Sequence, residues 1–137
     1  MLKRADIHTV LVSVTDSGED VIRTQSAGGC LIEETGVMLR YAEKENNGSA
    51  TLLLTEALAD LRRKGDTTSR MTFVEGRMLP CPYHTERAGD IDLSIYTHES
   101  RFTLSAAGGR FSARFTVMIA GQQVADNTLT VEWTHRD

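Results

Sequence analysis

The chain has 137 residues, a length that suits one globular domain, so we expect residues 1–137 to fold as a single unit. Hydrophobic residues make up 40% of the chain and charged residues 25%, which is typical of a soluble domain with an adequate core. The net charge of -4 argues against a nucleic-acid-binding protein, because such a protein needs a concentrated basic face.

Several features of the sequence predict a cytoplasmic protein that does not contact membranes. The N-terminal stretch has a basic start but only a short apolar run, broken by Thr9 and Ser13, which is typical of a strand rather than a signal peptide. No apolar run approaches the roughly 20 residues of a membrane-spanning helix. Cys30 and Cys81 lie far apart in a domain that needs no disulfide, a pattern that favours reduced thiols.

Alternating apolar and polar residues predict strands up to the first strong turn signal. The first strand is expected over residues 7–15, and a long second strand over residues 21–35. Within the second strand, Gly28-Gly29 predicts a bulge or a sharp bend at a barrel corner. Asn46-Asn47-Gly48 is the strongest hairpin signal in the chain. A third strand before it would place three residues on one face, namely Val37, Leu39 and Tyr41.

Residues 49–64 favour a helix by local propensity. Leu54, Leu58 and Leu61 would lie along one face of that helix. The same residues also suit two strands joined by a tight turn at Glu56-Ala57. Periodicity and propensity leave both structures open for this segment.

The rest of the chain is typical of a β-meander with glycine-marked turns. Turns at Lys64-Gly65-Asp66 and Glu75-Gly76 flank an alternating run, and later turns are expected at Ala88-Gly89, Ala107–Gly109 and Gly121-Gln122. The predicted apolar rows are Ser69, Met71 and Phe73; Ile91, Leu93 and Ile95; Phe102 and Leu104; Phe111, Ala113, Phe115, Val117 and Ile119; and Leu129, Val131 and Trp133. Many short strands at even spacing predict a sandwich or an up-and-down barrel.

Several weak motifs follow one another in order along nearly the whole chain. They are Leu39-Arg40-Tyr41, Arg63-x-Gly65, Ser69-x-Met71-x-Phe73-x-x-Gly76, Tyr83-x-Thr85 and the hairpin at Gly108-Gly109. Their order and spacing resemble the bacterial YwiB-like family, a group of domains of unknown function with a calycin-like (lipocalin-like) β-barrel. One departure is that the family tends to place a proline after the Tyr-x-Thr, whereas Glu86 follows Thr85 here.

The resemblance implies an all-β fold, a single up-and-down (meander) barrel of about eight to ten strands. It also implies that residues 49–64 form a hairpin, because tertiary pairing can override local propensity. The family has no established activity, so the resemblance implies no catalytic residues.

The residues themselves show no pattern typical of a reaction or a metal centre, and we expect no enzyme, no metal site and no cofactor. The histidines form neither an H-x-H nor an H-E-x-x-H motif. Cys81 and His84 have a C-x-x-H spacing, but an odd offset on a strand points the two side chains to opposite faces. The G-x-S-x-G motif of serine hydrolases is also absent from the sequence.

Arginines on the predicted strands suggest an anion site. Arg40, Arg70 and Arg114 lie opposite apolar rows, which by itself indicates a solvated outer face. The sharper hypothesis is that polar residues rim an open barrel end and bind an anionic small molecule, because guanidinium groups form paired hydrogen bonds with carboxylates and phosphates. The candidate ligand-binding residues are Arg40, Arg63, Arg70, Tyr83, Thr85 and Arg114.

Two functions from different classes are therefore predicted. The first is a bacterial, cytoplasmic barrel protein that binds a small or lipid-like ligand, with an anion as one option, in its interior or mouth. The alternative is a protein-interaction module, such as a homodimer, with a filled barrel and no ligand. A cavity on the order of a few hundred cubic ångströms favours the first function, whereas a filled core with a free strand edge favours the second.

Overall fold

A computed structural model describes residues 1–136 of the protein. These residues form twelve strands and one turn of 3-10 helix, Lys44–Asn46. The strands are β1 (Leu2–Thr15), β2 (Gly18–Glu33), β3 (Gly36–Glu43), β4 (Gly48–Leu54), β5 (Ala59–Lys64), β6 (Thr67–Phe73), β7 (Met78–Pro80), β8 (Tyr83–Thr85), β9 (Gly89–Ile91), β10 (Leu93–Ser105), β11 (Gly108–Ile119) and β12 (Gln122–Arg136). No helix in residues 1–136 has the length and apolar character that a membrane crossing needs.

All twelve strands belong to one antiparallel sheet. β1 to β6 pair in chain order, β10 to β12 do the same, and the pairing of β1 with β12 joins the two runs. β7, β8 and β9 have three residues each, so the remaining nine strands are the long ones. The predicted all-β, barrel-like fold is confirmed, but the sheet has twelve strands rather than about eight to ten, because it includes these three very short ones.

The sheet curls until strands from its two halves meet. Phe73 on β6 and Phe115 on β11 are separated by six intervening strands in the sheet order, yet their ring centroids lie 5.0 Å apart. Since neighbouring strands are about 4.8 Å apart, only a strongly curved sheet brings these rings together. The fold is therefore barrel-like, with its core on the concave face.

One short segment, residues 78–82, connects β10 to β6 where the curled sheet brings these two strands near each other. Its strand β7 pairs with β10, where Leu79 lies opposite Ile95. The backbone N–H of Cys81 donates to the carbonyl of Leu93 at 2.8 Å. On the other side, the N–H of Arg70 on β6 donates to the carbonyl of Pro82 at 3.1 Å. These contacts close most of the gap between β10 and β6.

The core consists of the apolar rows that the alternation predicted. Phe73, Phe111 and Phe115 are 0–1% exposed and pack edge to face or tilted at its centre. Other fully buried side chains come from both runs of strands, and they are Ile7, Val37, Leu39, Leu52, Leu54, Ile95 and Val131. Leu104 and Ile119 are exceptions, since they lie at strand ends and are 53% and 38% exposed.

Residues 49–64 form a hairpin of β4 and β5, not a helix. Leu52 lies opposite Leu61, and both side chains reach the core. The turn is closed by the N–H of Thr55, which donates to the carbonyl of Leu58 at 3.0 Å. Burial of alternate leucines between neighbouring strands outweighs the helical propensity of the segment. The hairpin that the family resemblance implied is confirmed.

Gly28 and Gly29 do not form a bulge, because the register of β1 with β2 runs through both residues without a shift. Gly28 is required for a different reason. A Cβ atom at this position would lie 2.3 Å from the carbonyl oxygen of Arg40 on β3. Glycine is therefore needed at position 28 because the backbones of β2 and β3 approach each other too closely for a side chain.

Cys81, which lies in the segment of residues 78–82 between β10 and β6, makes the stability of the fold sensitive to alkaline pH. Burial raises the pKa of its thiol to about 11 from an ordinary value of 9.0, against a smaller lowering by a hydrogen bond from the Arg70 backbone. A raised pKa means that the folded state disfavours the thiolate, so the stabilisation is complete below pH 9 and is lost as the pH rises towards 11. We expect this loss to be on the order of 2 kcal/mol.

Denaturant unfolding of the wild type and of Cys81→Ala at pH 8 and pH 11 measures this effect. The wild type should lose more stability than the variant between the two pH values, because tyrosine and lysine titration is common to both proteins. An equal loss in the two proteins would show that Cys81 does not contribute.

Candidate functional site

A groove of about 580 Å³ lies against the part of the sheet formed by β3 to β6, β8 and β9. It is open to solvent, and cationic side chains are prominent in its wall. The residues along its wall that carry charged or hydrogen-bonding groups are Arg40, Ser49, Thr51, Arg62, Arg63, Lys64, Thr68, Ser69, Arg70, Tyr83, His84 and Asp90.

The centre of the groove is one row of residues across four strands. Arg40 lies opposite Thr51, Thr51 opposite Arg62, and Arg62 opposite Arg70. Alternation along the strands places this row on the outer face, away from Leu39, Leu61 and the rest of the core. Two arginines directly opposite each other repel and would destabilise the sheet if nothing compensated them.

The carboxylate of Asp60 compensates for the repulsion between Arg62 and Arg70. Its side chain is on the same outer face of β5 but is only 4% exposed, because the arginines cover it. Its carboxylate accepts hydrogen bonds from Nε of Arg62 and Nε of Arg70, each at 3.1 Å, and from Oγ1 of Thr72 at 3.1 Å. Asp60 therefore holds two guanidinium groups side by side through their Nε atoms.

The terminal nitrogens of both guanidinium groups stay available. Within residues 1–136, the hydrogen bonds and ion pairs of Arg62 and Arg70 involve Nε and leave the Nη atoms without a protein partner. The side chains of Arg62 and Arg70 are 61% and 53% exposed, so their free ends reach the solvent in the groove. Each guanidinium can still donate several hydrogen bonds to an incoming acceptor.

A second row of polar residues runs alongside the first. Ser49 lies opposite Lys64, and Thr68 lies opposite His84, which in turn lies opposite Asp90. Nδ1 of His84 and Oδ1 of Asp90 are 2.8 Å apart. Lys64 adds a further cation to the wall, and the hydroxyl groups of this row are neutral donors. The row thus widens the cationic centre with groups that can hydrogen-bond a polar ligand.

Arg63 has a different environment from its neighbours. It lies on the opposite face of β5, in the row of Ala59 and Leu61, and Nε donates to both carboxylate oxygens of Glu43 at 3.0 and 3.1 Å. The pair is mostly buried, with side chains 25% and 13% exposed. Nearby, burial together with the charge of Glu43 raises the pKa of Tyr41 well above its ordinary value, which Arg63 partly opposes. The charge of Arg63 is thus already neutralised.

Four of the six predicted ligand-binding residues lie along this groove, and they are Arg40, Arg63, Arg70 and Tyr83, although the side chain of Arg63 is on the opposite face of the sheet and is paired with Glu43. Thr85 does not line it, since its Oγ1 accepts the N–H of Ala88 at 3.0 Å in the turn after β8. Arg114 does not line it either, because it lies on β11, opposite Glu99 and Thr128. The arginines that do come together with free ends lie on the outer face of the sheet rather than around a barrel mouth.

The residues that organise the groove are not among those that the sequence predicts to bind a ligand. Asp60, Arg62 and Lys64 lie in residues 49–64, where the sequence leaves helix and hairpin open, and none of the three is among the predicted ligand-binding residues. Their role follows from the register of β5 against β6, in which Asp60 lies opposite Thr72 and diagonal to Arg70. An acidic residue two positions before an arginine on a predicted strand was the one available signal, because residues at that spacing share a face.

Comparisons with known proteins identify the family. A sequence profile described as Domain of unknown function (DUF1934) matches residues 7–131. The crystal structure of the YwiB protein from Bacillus subtilis aligns with a TM-score of 0.87 at 18% identity, covering 99% of this chain and 94% of that one. No curated protein sequence matches the chain. The structural likeness shows a shared fold, the profile spans most of the sequence, and the chain therefore belongs to the family of domains of unknown function called DUF1934.

Proposed function

We propose that the protein binds a small anionic molecule in the outer groove through a carboxylate or phosphate group. The observation that carries this proposal is the arrangement of Arg62 and Arg70, whose Nε atoms are held by the buried carboxylate of Asp60. The fixed Nε contacts orient the two planar groups and leave the Nη atoms to donate in pairs. Such pre-ordered donors bind an anion with a smaller loss of side-chain entropy.

The charge distribution also supports an anionic ligand. The protein as a whole has a net charge of -4, yet the groove collects Arg40, Arg62, Lys64 and Arg70 with few acidic groups. A local excess of cations on an acidic protein attracts small anions and raises their local concentration. Placing two arginines directly opposite each other costs stability, and such a cost is commonly retained at functional sites.

The outer groove is a better location for the ligand than the barrel interior. Three phenylalanines with centroid distances of 5.0 and 5.8 Å occupy the centre of the core, together with the surrounding aliphatic side chains. The groove, at about 580 Å³, has the volume of a typical small-molecule site. Cationic and hydroxyl groups along its wall suit a ligand that carries an anionic group.

The test is a binding titration with a panel of anions, namely inorganic phosphate, pyrophosphate, citrate and a nucleoside monophosphate. At least one should raise the melting temperature of the wild type and give a saturable isotherm by calorimetry. Arg70→Ala should weaken that binding by at least about tenfold, because one charge-assisted pair is lost. Arg62→Ala should act in the same direction.

Arg114→Ala is the matched control, since Arg114 is also an exposed strand arginine but lies outside the groove. It should bind the anion as the wild type does. A panel in which no anion shifts the melting temperature would overturn the proposal. Equal weakening by Arg70→Ala and Arg114→Ala would do the same, because it would indicate non-specific attraction.

We further propose a calycin-like (lipocalin-like) protein of the bacterial cytoplasm that binds its ligand without catalysis. The barrel-like meander supports the calycin-like fold, and the structural similarity to a protein from Bacillus subtilis supports a bacterial source. Two free, buried cysteines support a reducing compartment. Anchoring by arginine, which stays protonated, supports binding rather than proton transfer. The alternative function, self-association, is favoured by the unpaired edge of β2.

A further inference from the structure

The first half of β2 has a free edge. Residues 18–26 pair with β1 along their whole length, whereas pairing with β3 begins only at Gly28. Within residues 1–136 no other strand is paired with this part of β2. The free stretch is longer than the average strand of a globular protein, so it is a substantial unpaired edge.

The register shows which backbone groups point outward. Thr15 pairs with Gly18 across a two-residue turn, so the even-numbered residues of β2 direct their N–H and C=O groups towards β1. Glu33 pairs with Gly36 across a second two-residue turn, which places the odd-numbered residues towards the β3 side. The residues with outward backbone groups in the free stretch are Glu19, Val21, Arg23 and Gln25.

This edge is open to an added strand. Val21 and Ile22 are 46% and 52% exposed, although they belong to a strand of 16 residues that pairs with β1 on its other edge. A groove of about 430 Å³ runs beside residues 22–26 and is bounded on its far side by Ala42, Lys44 and Glu45. Space, unpaired backbone and exposed apolar side chains therefore coincide at one place.

The charges on the edge indicate what kind of strand fits there. An antiparallel second copy related by a two-fold axis through Val21 would place Val21 opposite Val21, and Glu19 of each copy opposite Arg23 of the other. A two-fold axis through Arg23 would instead oppose two arginines, which is unfavourable. Charges on an edge normally prevent sheets from joining, but in the register centred on Val21 they become attractive pairs.

We propose that two copies of the protein pair antiparallel along the free edge of β2, with the two-fold axis at Val21. The pairing extends the sheet across both molecules and covers Val21 with its counterpart. In the same register Ser17 of the second copy lies opposite Gln25, which directs the turn between its β1 and β2 into the groove beside Lys44. This interface lies on different strands from the cationic groove and does not depend on anion binding.

Charge reversal tests the proposed register by sedimentation velocity and light scattering over a wide range of concentrations. The wild type should be dimeric at the higher concentrations. Glu19→Arg and Arg23→Glu should each raise the dissociation constant by at least about tenfold, since each substitution creates two like-charge contacts across the axis. The double variant carrying both changes should dimerise like the wild type, and an equimolar mixture of the two single variants should form heterodimers.

Val21→Pro is a second, independent variant. Because the N–H of Val21 points away from β1, proline removes no hydrogen bond within the molecule but blocks the added strand. Circular dichroism and thermal melting should confirm that all variants remain folded. A wild type that stays monomeric at every concentration overturns the proposal, and so does a dimer that neither charge reversal nor Val21→Pro weakens.

Discussion

Replacing Phe73 by alanine lowers the free energy of unfolding by about 3–5 kcal/mol. Phe73 is 0% exposed and contacts Phe111 and Phe115 at centroid distances of 5.8 and 5.0 Å. Its ring links β6 to β11 across the barrel, so truncation removes apolar contacts and leaves a cavity between strands that have little other direct contact. Urea unfolding followed by circular dichroism and tryptophan fluorescence measures the loss.

Two further variants separate the cavity effect from a general effect of removing a phenylalanine. Phe73→Leu should cost about 1 kcal/mol, because most of the volume is retained. Phe102→Ala is the control, since Phe102 is only partly buried at the edge of the same core, and it should cost less than Phe73→Ala. A loss for Phe73→Ala that does not exceed that for Phe102→Ala would contradict the central position of Phe73.

Replacing Asp60 by alanine destabilises the fold by about 2–3 kcal/mol, although the position is on the outer face of the sheet. The carboxylate is 4% exposed and accepts three hydrogen bonds, two of them from arginines. Its removal leaves Arg62 and Arg70 facing each other without a counter-charge. The effect is smaller than for a fully buried ion pair, because both arginines are more than half exposed and water screens them.

A double-mutant cycle tests this explanation. In a background that already carries Arg70→Ala, the replacement Asp60→Ala should cost clearly less, since the repulsion between the arginines is gone. The same cycle with Arg114→Ala should show additive losses, because Arg114 lies on β11 and does not contact Asp60. Additive losses in both cycles would mean that Asp60 stabilises the fold independently of the arginine pair.

The fold was largely predictable because one face of most strands is buried. The alternation of Leu39 and Tyr41 with Arg40 matches the structure, in which the first two are buried and the third is exposed. Local propensity was misleading in residues 49–64, since leucines spaced for a helix also alternate well enough for two strands. Only the resemblance to a family distinguished the two structures. The sequence of residues 78–82 contains no pattern that predicts the pairing of β7 with β10.

The site was less predictable than the fold, for a physical reason. Arg40 and Arg70 could be assigned to the outer face from period-2 alternation alone. Whether they come together depends on the register of four strands, and a slip of one residue in β5 would move Arg62 to the core face. The role of Asp60 depends on the same register, so no local pattern could identify it.

The pairing of β1 with β12 has a consequence for how the chain reaches its final state. Ile7 and Trp133 are neighbours in the sheet although nearly the whole chain separates them, so this ladder must form across a very long loop. During synthesis, one edge of β1 stays unpaired until β12 has left the ribosome, and core residues on β1 remain uncovered on that side. We therefore expect the pairing of β12 with β1 to form late in folding, and nascent chains interrupted before β12 to keep this edge of β1 open to other strands.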